Sequence, residues 1–250
     1  MLGHLPRGRA LYAIRFAPMN VRAIVAEFFG TALLLLAVVG SGIMAQRLCG
    51  GNIGLALLAN AIATGGALIA LILAFGPISG AHFNPAVTLA DAWQHGVPWH
   101  LVTPYIGAQI IGALAGTALA NGLFGLPLFF PSHHARSGLL LTASEFIATF
   151  GLLATIWGCV RSRPAATPFA VAAFIVGAYW FTPSTSFANP AVTIARSLTD
   201  TFAGIRPVDA PLFIVAQLLG AFGATALFAY LSPISKANAQ AVVVAHAEVA

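Results

Sequence analysis

The heptapeptide Asn84-Pro-Ala-Val-Thr-Leu-Ala returns as Asn189-Pro-Ala-Val-Thr-Ile-Ala, with one residue changed, 105 positions further along a chain of 250. Asn is a favoured helix cap, and a following proline lacks only an N–H that the first turn leaves unbonded. Each copy therefore predicts a helix start: Asn84, Pro85 and Ala86 in the first, Asn189, Pro190 and Ala191 in the second. Both helices have only about ten residues before Gln94-His-Gly or Asp200 intervenes, half of what a bilayer core requires. The chain thus reads as two related halves, each with a helix that enters a membrane and stops.

The composition sets that membrane context. Hydrophobic residues make up 59% of the chain and charged residues 7%, with a mean hydropathy of +0.91. These values exclude a soluble globular or disordered chain. Six stretches, near 22–45, 53–75, 101–123, 139–160, 166–183 and 209–231, are long enough to cross. The expected fold is an all-α membrane protein of six transmembrane helices plus two re-entrant half-helices. Three spans per half invert the second half relative to the first. Ala26-Glu-Phe-Phe-Gly-Thr and Ser144-Glu-Phe-Ile-Ala-Thr open the halves alike. The expected division is an arm at 1–21, a membrane domain at 22–231 (repeats of about 22–123 and 139–231) and a tail at 232–250.

Basic residues give the orientation. With the amino terminus inside, Arg7, Arg9, Arg15, Arg22, Arg161, Arg163 and Lys236 fall on the cytoplasmic side, and Arg47, Arg136 and Arg206 outside. Both termini are then cytoplasmic. The net charge of +5 reads as a topology signal, since no basic stripe with interleaved aromatics points to nucleic acid. The first 20 residues lack the apolar run of a signal peptide and read as a cytoplasmic arm, with Met19 an alternative start to Met1. Cys49 and Cys159 fall on opposite sides and read as unpaired.

Non-helical backbone at membrane depth is tolerated only where it is buried in protein or lines a watery cavity. Two half-helices entering from opposite faces bring their amino termini together near the midplane, each carrying roughly half a positive charge. The Asn84 and Asn189 amides can donate hydrogen bonds to a passing oxygen. The segments leading in, Ile78–Phe83 and Ser184–Ala188, are expected to be extended and to line the path with carbonyls. A narrow polar track in an apolar wall results.

The paired Asn-Pro-Ala boxes, the Ser79-Gly-Ala-His-Phe-Asn-Pro-Ala-Val-Thr run and the helices carrying Glu27 and Glu145 resemble the major intrinsic protein family, the aquaporins and aquaglyceroporins, over residues 22–231. The resemblance implies a right-handed bundle of six helices and two half-helices, and a homotetramer with one pore per protomer. It also implies a multi-pass protein of a bacterial-type inner membrane, in contact with lipid. Pore diameter, lining donors and a fixed arginine set selectivity in such channels. The filter carries over by offset to Thr64, Gly177, Ser186 and Val192. Typical members have arginine where this chain has Val192, and Arg196, one turn further along, is expected to miss the constriction. The expected opening is wide, uncharged and mildly polar. Loss of the filter arginine, together with Ser197-Leu-Thr-Asp-Thr-Phe-Ala-Gly, resembles bacterial members associated with arsenic handling. The implied function is passive flux of water, glycerol- and urea-type solutes and metalloid hydroxides such as arsenous acid, including methylated arsenicals. A water-selective pore is the alternative.

Glu27 and Glu145 are intramembrane carboxylates, read as acceptors that hold the re-entrant backbone in preference to proton relays. His82 is expected to orient the loop before Asn84, with a pH gate as the minority reading. His133-His134 lacks a third metal ligand and reads as solvated. Asp200, Arg206 and Asp209 are expected to cap and anchor the outer ends of the second half-helix and last span. Trp93, Trp99 and Trp180 suit membrane interfaces. Gly112, Ala115, Gly116, Gly220, Gly223 and Ala224 suit close helix packing. No nucleophile–base pairing, phosphate loop or metal constellation points to an enzyme, and no cofactor or metal is called for. A secondary transporter would also suit an inverted repeat, but no ionisable residue flanks the Asn boxes to bind a coupling ion. A non-conducting structural role is the third class.

Overall fold

Asn84 and Asn189 are both extended (φ −153° and −159°) and cap the short helices that follow them. The Asn84 side chain accepts from the Ala86 N–H, and that of Asn189 from the Ala191 and Val192 N–H groups. A computed structural model describes residues 21–233 and organises them around these two starts. The first half comprises α1 (Val21–Leu48), α2 (Ile53–Ser79), the half-helix α3 (Pro85–Trp93) and α4 (Trp99–Leu123). The second comprises α5 (Leu139–Ser162), α6 (Thr167–Phe181), the half-helix α7 (Pro190–Arg196) and α8 (Ala210–Leu231). Among the described residues, six helices are long and apolar enough to cross a membrane. A short 3-10 turn, Pro164–Ala166, lengthens the α6 span. The arm and tail residues 1–20 and 234–250, with Arg7, Arg9, Arg15, Met19 and Lys236, lie outside the described residues.

Packing repeats between the halves. Helix α1 packs on α2 and α4 as α5 packs on α6 and α8, and the halves join through α2 against α6. The half-helices cross over, α3 touching α8 and α7 touching α4, so each half completes the other. Close approach depends on glycines, among them Gly116 against the Ala32 carbonyl and two at matching places in the halves. A Cβ on Gly112 would collide with the Phe28 carbonyl of α1, and one on Gly220 with the Phe146 carbonyl of α5. Ala115, expected at such a contact, is instead exposed on α4. Trp93, Trp99 and Trp180 are 47%, 60% and 51% exposed, available to an interface.

Cross-links fix which segments share an end of the bundle. Arg47 donates to the Phe124 carbonyl at 2.7 Å, and the Arg206 N–H to the His134 carbonyl at 2.8 Å. At the opposite end Arg161 donates to the Ser232 carbonyl at 2.5 Å and to the Gln94 side chain. Cys49 and Cys159 are free thiols near opposite ends.

Candidate functional site: a central passage

Two loops run into the bundle and meet where the half-helices begin. The Asn84 amide donates to the Ala188 carbonyl at 2.8 Å, and the Asn189 amide to the Phe83 carbonyl at 2.7 Å. Each asparagine therefore caps its own helix and ties down the loop of the other half. An amide has two N–H donors, so one remains on each side chain beyond these bonds.

The loops are not the extended segments expected from sequence. Ala81 and Phe83 in the first, and Thr185, Ser186 and Ala188 in the second, have φ between 48° and 64°. Non-glycine residues in this left-handed region cost about 1–3 kcal/mol each and need support from their surroundings. Glu27 supplies it in the first half. Its carboxylate accepts from the backbone N–H of His82 (3.0 Å) and Phe83 (2.7 Å), the Ser79 hydroxyl (2.6 Å) and the Gln109 amide (2.7 Å). Glu145 does the same in the second, accepting from the Phe187 and Ala188 N–H groups (2.9 Å each) and the Gln217 amide (2.6 Å). Gln109 also donates to Thr88 and Gln217 to Thr193, joining each loop to its half-helix. The His82 Nδ1 lies 3.1 Å from the Thr88 hydroxyl and its Nε2 3.7 Å from Asp91, so the ring bridges the first loop to α3.

The glutamines carry a repeat of their own. Gln109-Ile-Ile-Gly-Ala and Gln217-Leu-Leu-Gly-Ala place each one three residues before the close-packing glycine. A polar residue recurring in two apolar spans was the available signal.

The passage contains a cavity of about 80 Å³, room for several waters in file. Asn84, Asn189, His82 and the loop residues Ala81, Phe83 and Ala188 give it a polar side, while Leu34, Leu68, Ile72, Leu152, Ile156 and Ile175 line it with hydrocarbon. Of the offset-derived filter positions, Thr64, Ser186 and Val192 line this cavity and Gly177 does not. Gly177 faces the Phe181 ring instead. Tyr179 takes its place on the wall, with its hydroxyl 3.3 Å from that of Thr64. Arg196, expected to miss the constriction, also lines this cavity. Its side chain is buried, with the guanidinium 3.4 Å from the Phe187 ring centroid and Nε donating to the Ala203 carbonyl.

The segment between α4 and α5 closes over this end. Arg136 donates to the Gly204 carbonyl (2.8 Å) and the Ser184 carbonyl (2.9 Å) and lies 5.0 Å from the same Phe187 ring. Burial pulls its pKa down to about 10, which leaves it a cation at neutral pH. Asp200 and Asp209 anchor this segment and do not cap helices. Asp200 accepts from the His133 N–H at 2.8 Å and contacts its ring at 2.9 Å. Asp209 stands at the start of α8 without a capping bond and accepts from the Arg136 N–H and the Arg206 guanidinium.

An inverted pair of three-span repeats with two half-helices abutting at a central cavity defines a polytopic membrane protein built around a passage. The major intrinsic protein family model matches residues 15–184 and 164–250. The chain belongs to that family and is a membrane channel for small solutes. It is 52% identical over 210 residues to "Aquaglyceroporin AqpS" of Rhizobium meliloti (strain 1021), covering 84% of this chain and 90% of the relative. It is also 32% identical to "Aquaporin Z" of Rhodopseudomonas palustris, covering 86% and 95%. The aquaglyceroporin from Plasmodium falciparum shares the fold, with a TM-score of 0.63 at 22% identity and coverage of 85% of this chain and 96% of that one.

Proposed function

We propose that the chain is a passive, bidirectional pore for small uncharged solutes: water, glycerol- and urea-type molecules, and trivalent metalloid hydroxides such as arsenous acid, with or without methyl groups. The two-sided cavity wall carries this reading. A neutral solute can lay its carbon or methyl side against Leu34, Leu68, Leu152 and Ile156 while exchanging water for the Asn84 and Asn189 amides. An ion would lose its hydration shell with nothing equivalent to replace it. The Rhizobium relative, an aquaglyceroporin by name, agrees.

In this reading Pro85, Ala86, Pro190 and Ala191 start the half-helices, and Thr64, Ser186 and Val192 shape the filter. Glu27, Glu145 and His82 hold the loops. The Thr64–Tyr179 contact and the buried Arg196 favour a second reading, a narrower water-selective pore. The protein sits in a bacterial-type inner membrane with both termini cytoplasmic, as the charge distribution favours, and assembles as a homotetramer with lipid around it. Apolar side chains exposed along the spans, such as Ile111 (60%) and Leu219 (59%), suit both contacts.

Uptake of glycerol and arsenous acid into proteoliposomes, native against Val192→Arg, separates the readings. Protein-dependent uptake of both, reduced by the added arginine, is the expected result. Water flux with glycerol and arsenous acid excluded would establish the water-selective pore. Saturation at low solute or dependence on a proton gradient would indicate a transporter, and permeability equal to empty vesicles a structural role.

A further inference from the structure

Arg196 and Arg136 come from different segments and converge on one aromatic ring. Their guanidinium carbons lie 3.4 Å and 5.0 Å from the Phe187 centroid, and their Nε atoms donate to the adjacent carbonyls of Ala203 and Gly204. Neither has a carboxylate partner among the described residues, whose ion pairs involve other groups. Two buried cations with no carboxylate in ion-pair contact, and only the longer-range attraction of Glu145, are costly to hold side by side. Carbonyl dipoles and the ring face offset part of that cost. Arg196 also faces the cavity, in company with Thr64, Ser186 and Val192. Among the described residues nothing accepts from its two Nη groups, yet neither is a sealed, unsatisfied donor. Those N–H groups keep some exposure, and the side chain that carries them lines the passage.

We propose that Arg196 supplies the fixed cation of this channel's filter, one helical turn beyond the usual place now held by Val192, and that its free Nη pair takes solutes presenting two neighbouring oxygens. Vicinal diols and metalloid hydroxides have that arrangement, which a planar guanidinium matches with two parallel hydrogen bonds. Arg136 is a positioning residue: it braces Phe187 and the Ser184 carbonyl and so fixes where Arg196 stands. The proposal rests on the pore reading above and deepens it.

The isomers 1,2-propanediol and 1,3-propanediol have the same size and differ in whether the hydroxyls are neighbours, so their flux ratio isolates the fork. Proteoliposomes of the native chain, Arg196→Lys, Arg196→Leu and Arg136→Gln would be tested for water flux, this ratio, and potassium leak under a diffusion potential. The native chain should favour the 1,2 isomer and exclude potassium. Arg196→Lys should still exclude potassium while the ratio falls toward one, since an ammonium is a point charge without the planar fork. Arg196→Leu should raise potassium leak by roughly tenfold or more. Arg136→Gln should lower the ratio without opening the leak. A native ratio in Arg196→Lys overturns the proposal even if the leucine variant fails to fold, as does a leucine variant with native leak and ratio. A native chain that conducts neither water nor solute overturns the pore reading, and this one with it.

Discussion

Asn84 reaches across the repeat boundary and donates its amide to the carbonyl of Ala188, the residue immediately before Asn189, at 2.8 Å. With the reciprocal bond from Asn189 to Phe83, it makes the two half-helix starts a single latched unit. Asn84→Asp keeps the capping oxygen for the Ala86 N–H but loses the donor and sets a negative charge facing a carbonyl. We expect reduced solute flux in vesicles and a loss of about 1–3 kcal/mol from the unpaired, buried groups, read as a lower unfolding midpoint in detergent.

Glu27 accepts from four donors and Glu145 from three. An amide in either place has one acceptor oxygen and turns an NH2 toward N–H groups. Glu27→Gln and Glu145→Gln should each cost about 2 kcal/mol or more, with the left-handed loop backbone losing its support. Thermal unfolding measures the cost. A relay role would instead leave stability near native and change proton flux.

The matching glycines give a contrast within one helix. Gly220→Ala should disrupt α8 against α5, because the new Cβ meets the Phe146 carbonyl. Gly223→Ala should be tolerated, since its nearest neighbour is the Phe150 ring at 3.5 Å. Monodispersity after detergent extraction distinguishes the two.

How much of this was legible depended on whether a signal repeats. The two Asn-Pro boxes, recurring in both halves, announced the half-helices, and the Glu-Phe pairs at Glu27 and Glu145 announced the carboxylates that hold their loops. Gln109 and Gln217 repeat as clearly, but a polar residue in an apolar span does not state what it bonds. The loop conformations were illegible because Ala, Phe and Ser rarely adopt positive φ; tertiary bonds to Glu27 and Glu145 impose it. Offset counting placed Thr64, Ser186 and Val192 on the cavity but failed at Gly177, because two residues along α6, at Tyr179, turn the side chain by roughly 200°. The reach of Arg196 to the cavity wall was not legible from its position in the helix. A long side chain covers a turn of reach, and nothing in the Ser197–Gly204 run announces that its Ala203 carbonyl bonds the Arg196 side chain.

The segment between α4 and α5 should respond to acid at the Asp200–His133 contact. The His133 backbone N–H, then its side chain, hold the Asp200 carboxylate below its usual value. A depressed folded value means the contact stabilises fully above the unfolded carboxylate range near 4 and is lost as pH falls through the lower folded value. Hydrogen exchange at residues 132–134 should therefore be flat in protection from pH 5 to 8. Asp200→Asn, which weakens the contact at neutral pH, should raise exchange there.

Stopped-flow light scattering on proteoliposomes of the native chain, first in an impermeant sugar and then in glycerol, tests the central claim most directly. A passage between the latched half-helices predicts rapid shrinkage in both, followed in glycerol by protein-dependent reswelling. Traces indistinguishable from empty vesicles in both gradients would contradict it.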